Sequence, residues 1–414
     1  MILSAAPTET PTRETLSPGT LRLVILILGA LSTVTPVSID MYLPALPQIA
    51  TSLHCTTAQV SLSLSSYFIG MAMGQLLYGP LLDRYGRKRP IYFGLGLYLL
   101  CSLACVVAPT VGILIGLRFF QALGACVSQV AAMTMVRDFF PPKEGARVFS
   151  LQMLILGVSP LLAPTLGSLI TVHLGWHWIF LALAIIVGLI LAATAAFLPQ
   201  VYRPDPTVIL RPKPIIDQFI VVLQERRYAT YVFAGACSFS GLFVYVAGSP
   251  IILMESFHVS AKTYGILFAI MAMGFIGGNQ LNILALRSFS SERIFATALV
   301  IQVLSGVIFS LGAYLGLYNL DVTVTLLFLQ LLCFGFTFPN ASALALASIT
   351  RNIGSAAALM GFMQTSFGAI ASSCIGLLNV HSVAPVIFIM TGMAGLGLVI
   401  LVTTWRPLPA AQAA

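Results

Sequence analysis

Twelve long apolar runs separated by short polar breaks organise the chain, at about 21–50, 58–81, 91–109, 112–134, 148–172, 178–198, 229–253, 263–286, 294–316, 324–348, 356–378 and 386–405. Each is nearly free of charge and long enough for a membrane-crossing helix, which needs about 20 apolar residues. A transmembrane barrel would instead give short segments of alternating hydrophobicity. Pro36, Pro44 and Pro47 interrupt the first run and predict that it ends early or bends. That run continues from Arg22 past Ser38, too far for the apolar region of a signal peptide, so a retained first helix is expected. The longest break, 199–228, carries Pro199, Pro204, Pro206, Pro212 and Pro214 with five basic residues. It divides the chain into a tail (1–20), a six-helix bundle (21–198), a central loop (199–228), a second six-helix bundle (229–405) and a second tail (406–414).

Composition removes the soluble classes. Of 414 residues, 58% are apolar and 8% charged, against about 25% charged in a soluble domain. The formal charge of +8 takes its meaning from position. With the amino terminus inside, eighteen of the 20 basic residues fall in cytoplasmic segments, leaving Lys262 in an outer loop and Arg118 within a run. This agrees with an even number of helices and with both termini in the cytoplasm. The positive charge is therefore topological and implies no nucleic acid. Seven cysteines without a CxxC pair give no metal or redox signature. His173 and His177 flank Gly175 among aromatic residues, the pattern of an interfacial turn, and no metal or other cofactor is expected. Asn340 after Pro339 predicts a break in the tenth helix.

A weak internal repeat aligns Gly74–Arg89 with Gly278–Arg293 at an offset of 204, although Arg287 then stands where the first copy has Asp83. Such duplication marks secondary transporters, whose two halves rock about a site near the midplane. Gly274, Gly277 and Gly278 lack an accompanying P-loop and suit close helix packing. Without a nucleotide motif, transport is expected to run on a gradient.

Short motifs sharpen this. Gly79-Pro80-Leu81-Leu82-Asp83-Arg84-Tyr85-Gly86-Arg87-Lys88-Arg89 resembles the GxLxDRxGRK(R) signature between the second and third helices of the major facilitator superfamily. Arg118-Phe-Phe-Gln121-Ala-Leu-Gly124 is similar to that superfamily's motif B, and Arg137-Asp138 closes the same run. Ser159-x3-Ala163-Pro164-x2-Gly167-Ser168 is a softened form of its antiporter motif, with Ser159 and Ala163 in place of glycines. Ser38 to Pro47 resembles the Bcr/CflA drug-resistance branch, and Gly354-Ser355-Ala356-Ala357 extends the likeness into the second half. The resemblance implies an all-α membrane protein of the major facilitator fold, with twelve transmembrane helices in two bundles. It implies a proton antiporter for hydrophobic drugs, expected as a monomer and powered by the proton gradient.

Asp40 is the sole acid within an apolar run and Arg118 the sole base, and each costs about 2.5–3.5 kcal/mol at a helix centre. Counting along ideal helices places both in the outer half at nearly one level, about 28 and 25 Å from the inner ends. Asp40 is expected to bind and release a proton, with Arg118 biasing it or holding backbone carbonyls of the first helix; a static ion pair is the structural alternative. The resemblance implies the same roles. It also implies a conformational latch of Asp83, Arg87, Arg137 and Asp138 at the cytoplasmic helix ends, with Asp83 facing the start of the eleventh helix near Gly354. In the fifth run Ser159, Ala163, Pro164 and Gly167 predict a thin, bent helix that seals an exchanger or packs closely. Tyr42, Tyr67, Phe239, Phe243, Tyr245 and Gln364 are candidate pocket walls for an amphipathic ligand. The rival with the same fold is a proton-linked uptake carrier for a metabolite. A polytopic enzyme or receptor would need a nucleophile, metal cluster or signalling domain that the short loops do not offer.

Overall fold

The computed structural model describes residues 18–140, 142–199, 204, 212–349 and 353–404. Its first half holds α1 (Pro18–Asp40), a 3-10 turn (Leu43–Ala45), α2 (Leu46–Ser52), α3 (Thr57–Tyr85), α4 (Lys88–Val106), α5 (Val111–Phe139), α6 (Pro142–His173) and α7 (His177–Phe197). After α8 (Pro212–Gln224) come α9 (Arg226–Pro250), a π-helical turn (Ile251–Ser256), α10 (Ala261–Ala285), α11 (Ser291–Tyr314), α12 (Leu320–Ala347), α13 (Ile353–Leu377) and α14 (Val383–Thr404). There is no strand among the described residues. Among the described residues, eleven helical stretches are long and apolar enough to cross a membrane, with Gly19–Ser52 counted as one. The predicted fifth run is α6, which has 32 residues.

Local chemistry explains the helix starts. Thr56, Thr110, Ser260, Ser290 and Asn319 each cap a helix by accepting from the backbone N–H three residues on. Pro44 and Pro47 sit in the opening positions of the 3-10 turn and α2, where a missing N–H costs nothing. The first run therefore breaks after Asp40. Two expectations are corrected. The 199–228 segment contains α8, whose Phe219, Val222 and Leu223 pack into the second half's core; a 13-residue amphipathic helix is obscured by the prolines before it. α12 runs unbroken through Pro339. Pro339 removes the donor to the Gly335 carbonyl, and beside it Asn340 Nδ2 donates to the Phe336 carbonyl (2.8 Å) and to Asn282 Oδ1 (2.6 Å), tying this stretch of α12 to α10.

Within the first half α5 packs against α1, α3 and α4, and within the second half α12 packs against α9, α10 and α11. The halves meet along two seams, α3 with α13 and α6 with α10. The 204-residue offset reappears in the packing. Gly70 and Gly74 bring α3 against Phe119, Ala122 and Cys126 of α5, while Gly274 and Gly278 bring α10 against Phe328, Leu332 and Gly335 of α12. Three hydroxyl contacts join the halves at the end remote from α8: Thr56 Oγ1 to Asn379 Oδ1 (2.7 Å), Ser61 Oγ to the Ala247 carbonyl (3.1 Å) and Ser65 Oγ to Ser372 Oγ (3.0 Å).

Candidate functional site

Arg118, on α5, is completely buried. Its guanidinium lies over the rings of Tyr67 (4.3 Å), Tyr42 (4.6 Å) and Phe180 (5.9 Å). Nη1 donates to Gln121 Oε1 (2.6 Å) and Nη2 to the Ser38 carbonyl (3.1 Å), while Nε has no partner. Gln121 in turn donates to Ser102 Oγ (2.7 Å), and Ser38 Oγ bonds Tyr98 Oη. A desolvated cation is tolerated here because aromatic faces and neutral acceptors replace its water.

Asp40 is the last residue of α1 and is 6% exposed. No hydrogen bond or ion pair links it to Arg118 among the described residues. The static ion pair weighed from the sequence is therefore not formed. The helix end divides the two directions, for the Ser38 carbonyl meets α5 whereas the 3-10 turn that follows Asp40 packs on α9 and α10 of the other half. Tyr264 Oη pairs with Ser249 Oγ (2.7 Å), and the buried Tyr245 Oη has no partner. Gly167 on α6 lies flush against the Met41 backbone, where any Cβ would collide. The antiporter-like segment thus touches the chain next to Asp40. Ser159 and Ala163 are buried on the same helix, Ser159 Oγ has no partner, and Pro160 and Pro164 lie inside it.

Of the pocket candidates, Tyr42 and Tyr67 cover Arg118 instead of lining open space, and Tyr42 Oη meets Ser63 Oγ at 2.8 Å. Phe243 meets Phe68 edge-on across the halves (4.7 Å) and Phe239 (5.7 Å), which also faces Phe338 (4.4 Å). Tyr245 stacks on Phe268 at 5.7 Å, and Gln364 is buried on α13. At the other end of α3, Arg87 binds Asp138 through Nε (2.7 Å) and Nη2 (3.3 Å), and Asp83 through Nη1 (2.8 Å). Burial opposes this charge, but the two carboxylates outweigh it and raise the pKa of Arg87. All three residues belong to the first half; the side chain of Arg137 and the expected contact near Gly354 lie outside the described residues. Sequence reasoning missed Phe180, Tyr98, Ser102 and Tyr264. The first three are visible only as polar or aromatic positions in apolar runs, while Tyr264 follows a helix cap.

A family model described as Major Facilitator Superfamily matches residues 28–373. The chain belongs to that superfamily. It is a multi-pass membrane transporter and not an enzyme. Among superfamily relatives, it is 31% identical over 373 residues to a bicyclomycin resistance protein homolog of Haemophilus influenzae, covering 88% of this chain and 92% of that one. It is 28% identical to the multidrug resistance protein MdtL of Klebsiella pneumoniae, covering 91% and 94%. The superfamily fold is shared with the crystal structure of a D-xylose–proton symporter, with a TM-score of 0.72 at 14% identity over 95% of this chain and 99% of that one.

Proposed function

We propose that this transporter exports hydrophobic antimicrobials across the bacterial inner membrane in exchange for protons, with both termini in the cytoplasm. The observation that carries the reading is Asp40, a buried acid without a cation partner, at a helix break on the seam between the halves. An ionised carboxylate is costly in such a seam unless it is paired. Closing the halves around Asp40 therefore requires the neutral acid, and opening them admits water or a cargo group that lets the proton leave. Arg118 holds the carbonyl of Ser38 and so fixes the helix end that carries Asp40. The drug-resistance names of relatives at about 30% identity support the cargo class.

The test is bicyclomycin uptake into everted membrane vesicles with an imposed pH gradient, acid inside. Wild type is expected to load the vesicles until the gradient is collapsed, and Asp40→Asn to insert normally and lose the gradient-dependent part. Gradient-driven loading retained by Asp40→Asn overturns the assignment of the proton site. Movement in the opposite direction overturns export in favour of uptake.

A further inference from the structure

The second half contains a cavity of about 540 Å³ at the end remote from α8, bounded by the π-helical turn, the connection from α11 to α12 and the start of α14. Irregular backbone builds it. Past Pro250 the helix widens, Ser256 Oγ donates to the Ile251 carbonyl (3.0 Å), and Gly316 turns the chain at a φ of +66°. π-turns are rare and recur at functional sites.

Four rings line the space: Phe257, Tyr314, Tyr318 and Phe388. Tyr318 is fixed by its Oη bond to the Ile308 carbonyl (2.8 Å) and by lying against Gly312, which has no room for a Cβ. Tyr314 is 72% exposed, and its ring centroid is 6.4 Å from that of Phe388. Ser256, Thr323 and Ser382 add hydroxyls, small apolar residues such as Ala313 and Pro385 make up the rest, and no Asp, Glu, Lys, Arg or His lines the space. Thr323 decides the matter. It is wholly buried and its Oγ1 has no hydrogen-bond partner, whereas Thr325 on the same helix bonds back to the Asp321 carbonyl at 2.8 Å. A buried hydroxyl left without a partner is destabilising, and a turn of the Thr323 side chain toward the space, from which it is closed as it stands, would let a ligand oxygen satisfy it.

We infer that this cavity binds an uncharged amphipathic molecule, with an apolar body packed among the four rings and a hydroxyl or carbonyl group bonded to Thr323. The volume suits a small organic ligand. The absence of lining charge disfavours phosphates and carboxylates. Two sources have this chemistry, a transported compound and a neutral acylglycerol of the bilayer. The site is separate from Asp40 and Arg118 and does not rest on the direction of transport.

The test is photolabelling of the purified full chain with 4-(hydroxymethyl)benzophenone, which has both the apolar rings and the polar group and cross-links when irradiated. Mapped peptides are expected to centre on 256–257, 313–323 and 382–388. Thr323→Val should lower the yield about fivefold, the worth of one hydrogen bond, and Ala313→Trp should abolish it by filling the space. Phe388→Ala, at a partly exposed ring, gives the same reading if Ala313→Trp fails to fold. Displacement by excess dioleoylglycerol assigns the site to bilayer lipid; displacement by a compound carried in the vesicle assay assigns it to cargo. Label spread along lipid-facing helices and indifferent to all three variants overturns the inference.

Discussion

Arg118 shows how a fixed charge can be held in an apolar bundle without an opposite charge. Its flat guanidinium fits between the faces of Tyr42 and Tyr67 while its edges reach Gln121 and the Ser38 carbonyl. A lysine ammonium has the charge but neither the plane nor the fork. Arg118→Lys is therefore expected to lower stability by about 2 kcal/mol, the scale of a desolvated cation–π contact, read as a lower thermal unfolding midpoint in detergent. It should also impair transport, since the end of α1 loses its tether. An unchanged midpoint would contradict the cage as a stabilising element. The sequence makes Asp40 and Arg118 conspicuous, since charge in an apolar run stands out. Their similar depth is legible too. What one-dimensional spacing does not contain is direction: the chain turns after Asp40, so a carbonyl two residues earlier meets Arg118 while the turn beyond Asp40 packs on the other half. The same limit applies to Tyr42 and Tyr67, whose residue type suits a pocket wall and a cation cover equally well.

At the level of helices, proline and glycine were the informative letters, and their meaning depended on neighbours. Pro44 and Pro47 mark new helix starts, whereas Pro339 lies within an unbroken α12, where Asn340 ties the helix to Asn282 of α10. Glycines divide in the same way. A methyl at Gly278 would strike the Leu332 carbonyl on α12, while one at Gly277 meets nothing within 4 Å. Gly278→Ala should separate α10 from α12 and destabilise the protein by about 1–3 kcal/mol, as overpacking does. Gly277→Ala should be neutral or stabilising by up to about 1 kcal/mol, from helix propensity alone. Thermal unfolding of the two variants side by side checks the pair; equal losses would argue against the close approach. α8 escaped the sequence reading because the prolines before it read as a loop and a 13-residue helix does not stand out beside runs twice its length.

On the scale of the whole molecule, the two halves are joined at one end by side-chain hydroxyls, and the charged cluster of Asp83, Arg87 and Asp138 at the other end ties helices of one half together. Locking the joined end should stop the cycle. With the seven native cysteines replaced, Ser65→Cys with Ser372→Cys places two thiols where the hydroxyls now meet at 3.0 Å. Oxidation is expected to reduce transport to background and a thiol reductant to restore it. Full activity in the oxidised, cross-linked protein would show that this end need not open. The superfamily and the all-helical membrane class were approachable from run lengths and motifs, since each depends on local composition. Which end is joined depends on contacts between residues more than 180 positions apart, such as Ser61 with Ala247, and no local pattern encodes that.

The joined end is fastened by neutral groups that water can replace one at a time. At about 0.5–1.5 kcal/mol net for each hydrogen bond, three such fastenings amount to a few kcal/mol. One elementary charge descending 100 mV releases about 2.3 kcal/mol. The hydrogen-bonded part of the work of parting the halves is thus of the same size as the energy one elementary charge yields across an energised membrane, and the apolar packing of α3 on α13 and of α6 on α10 adds to it.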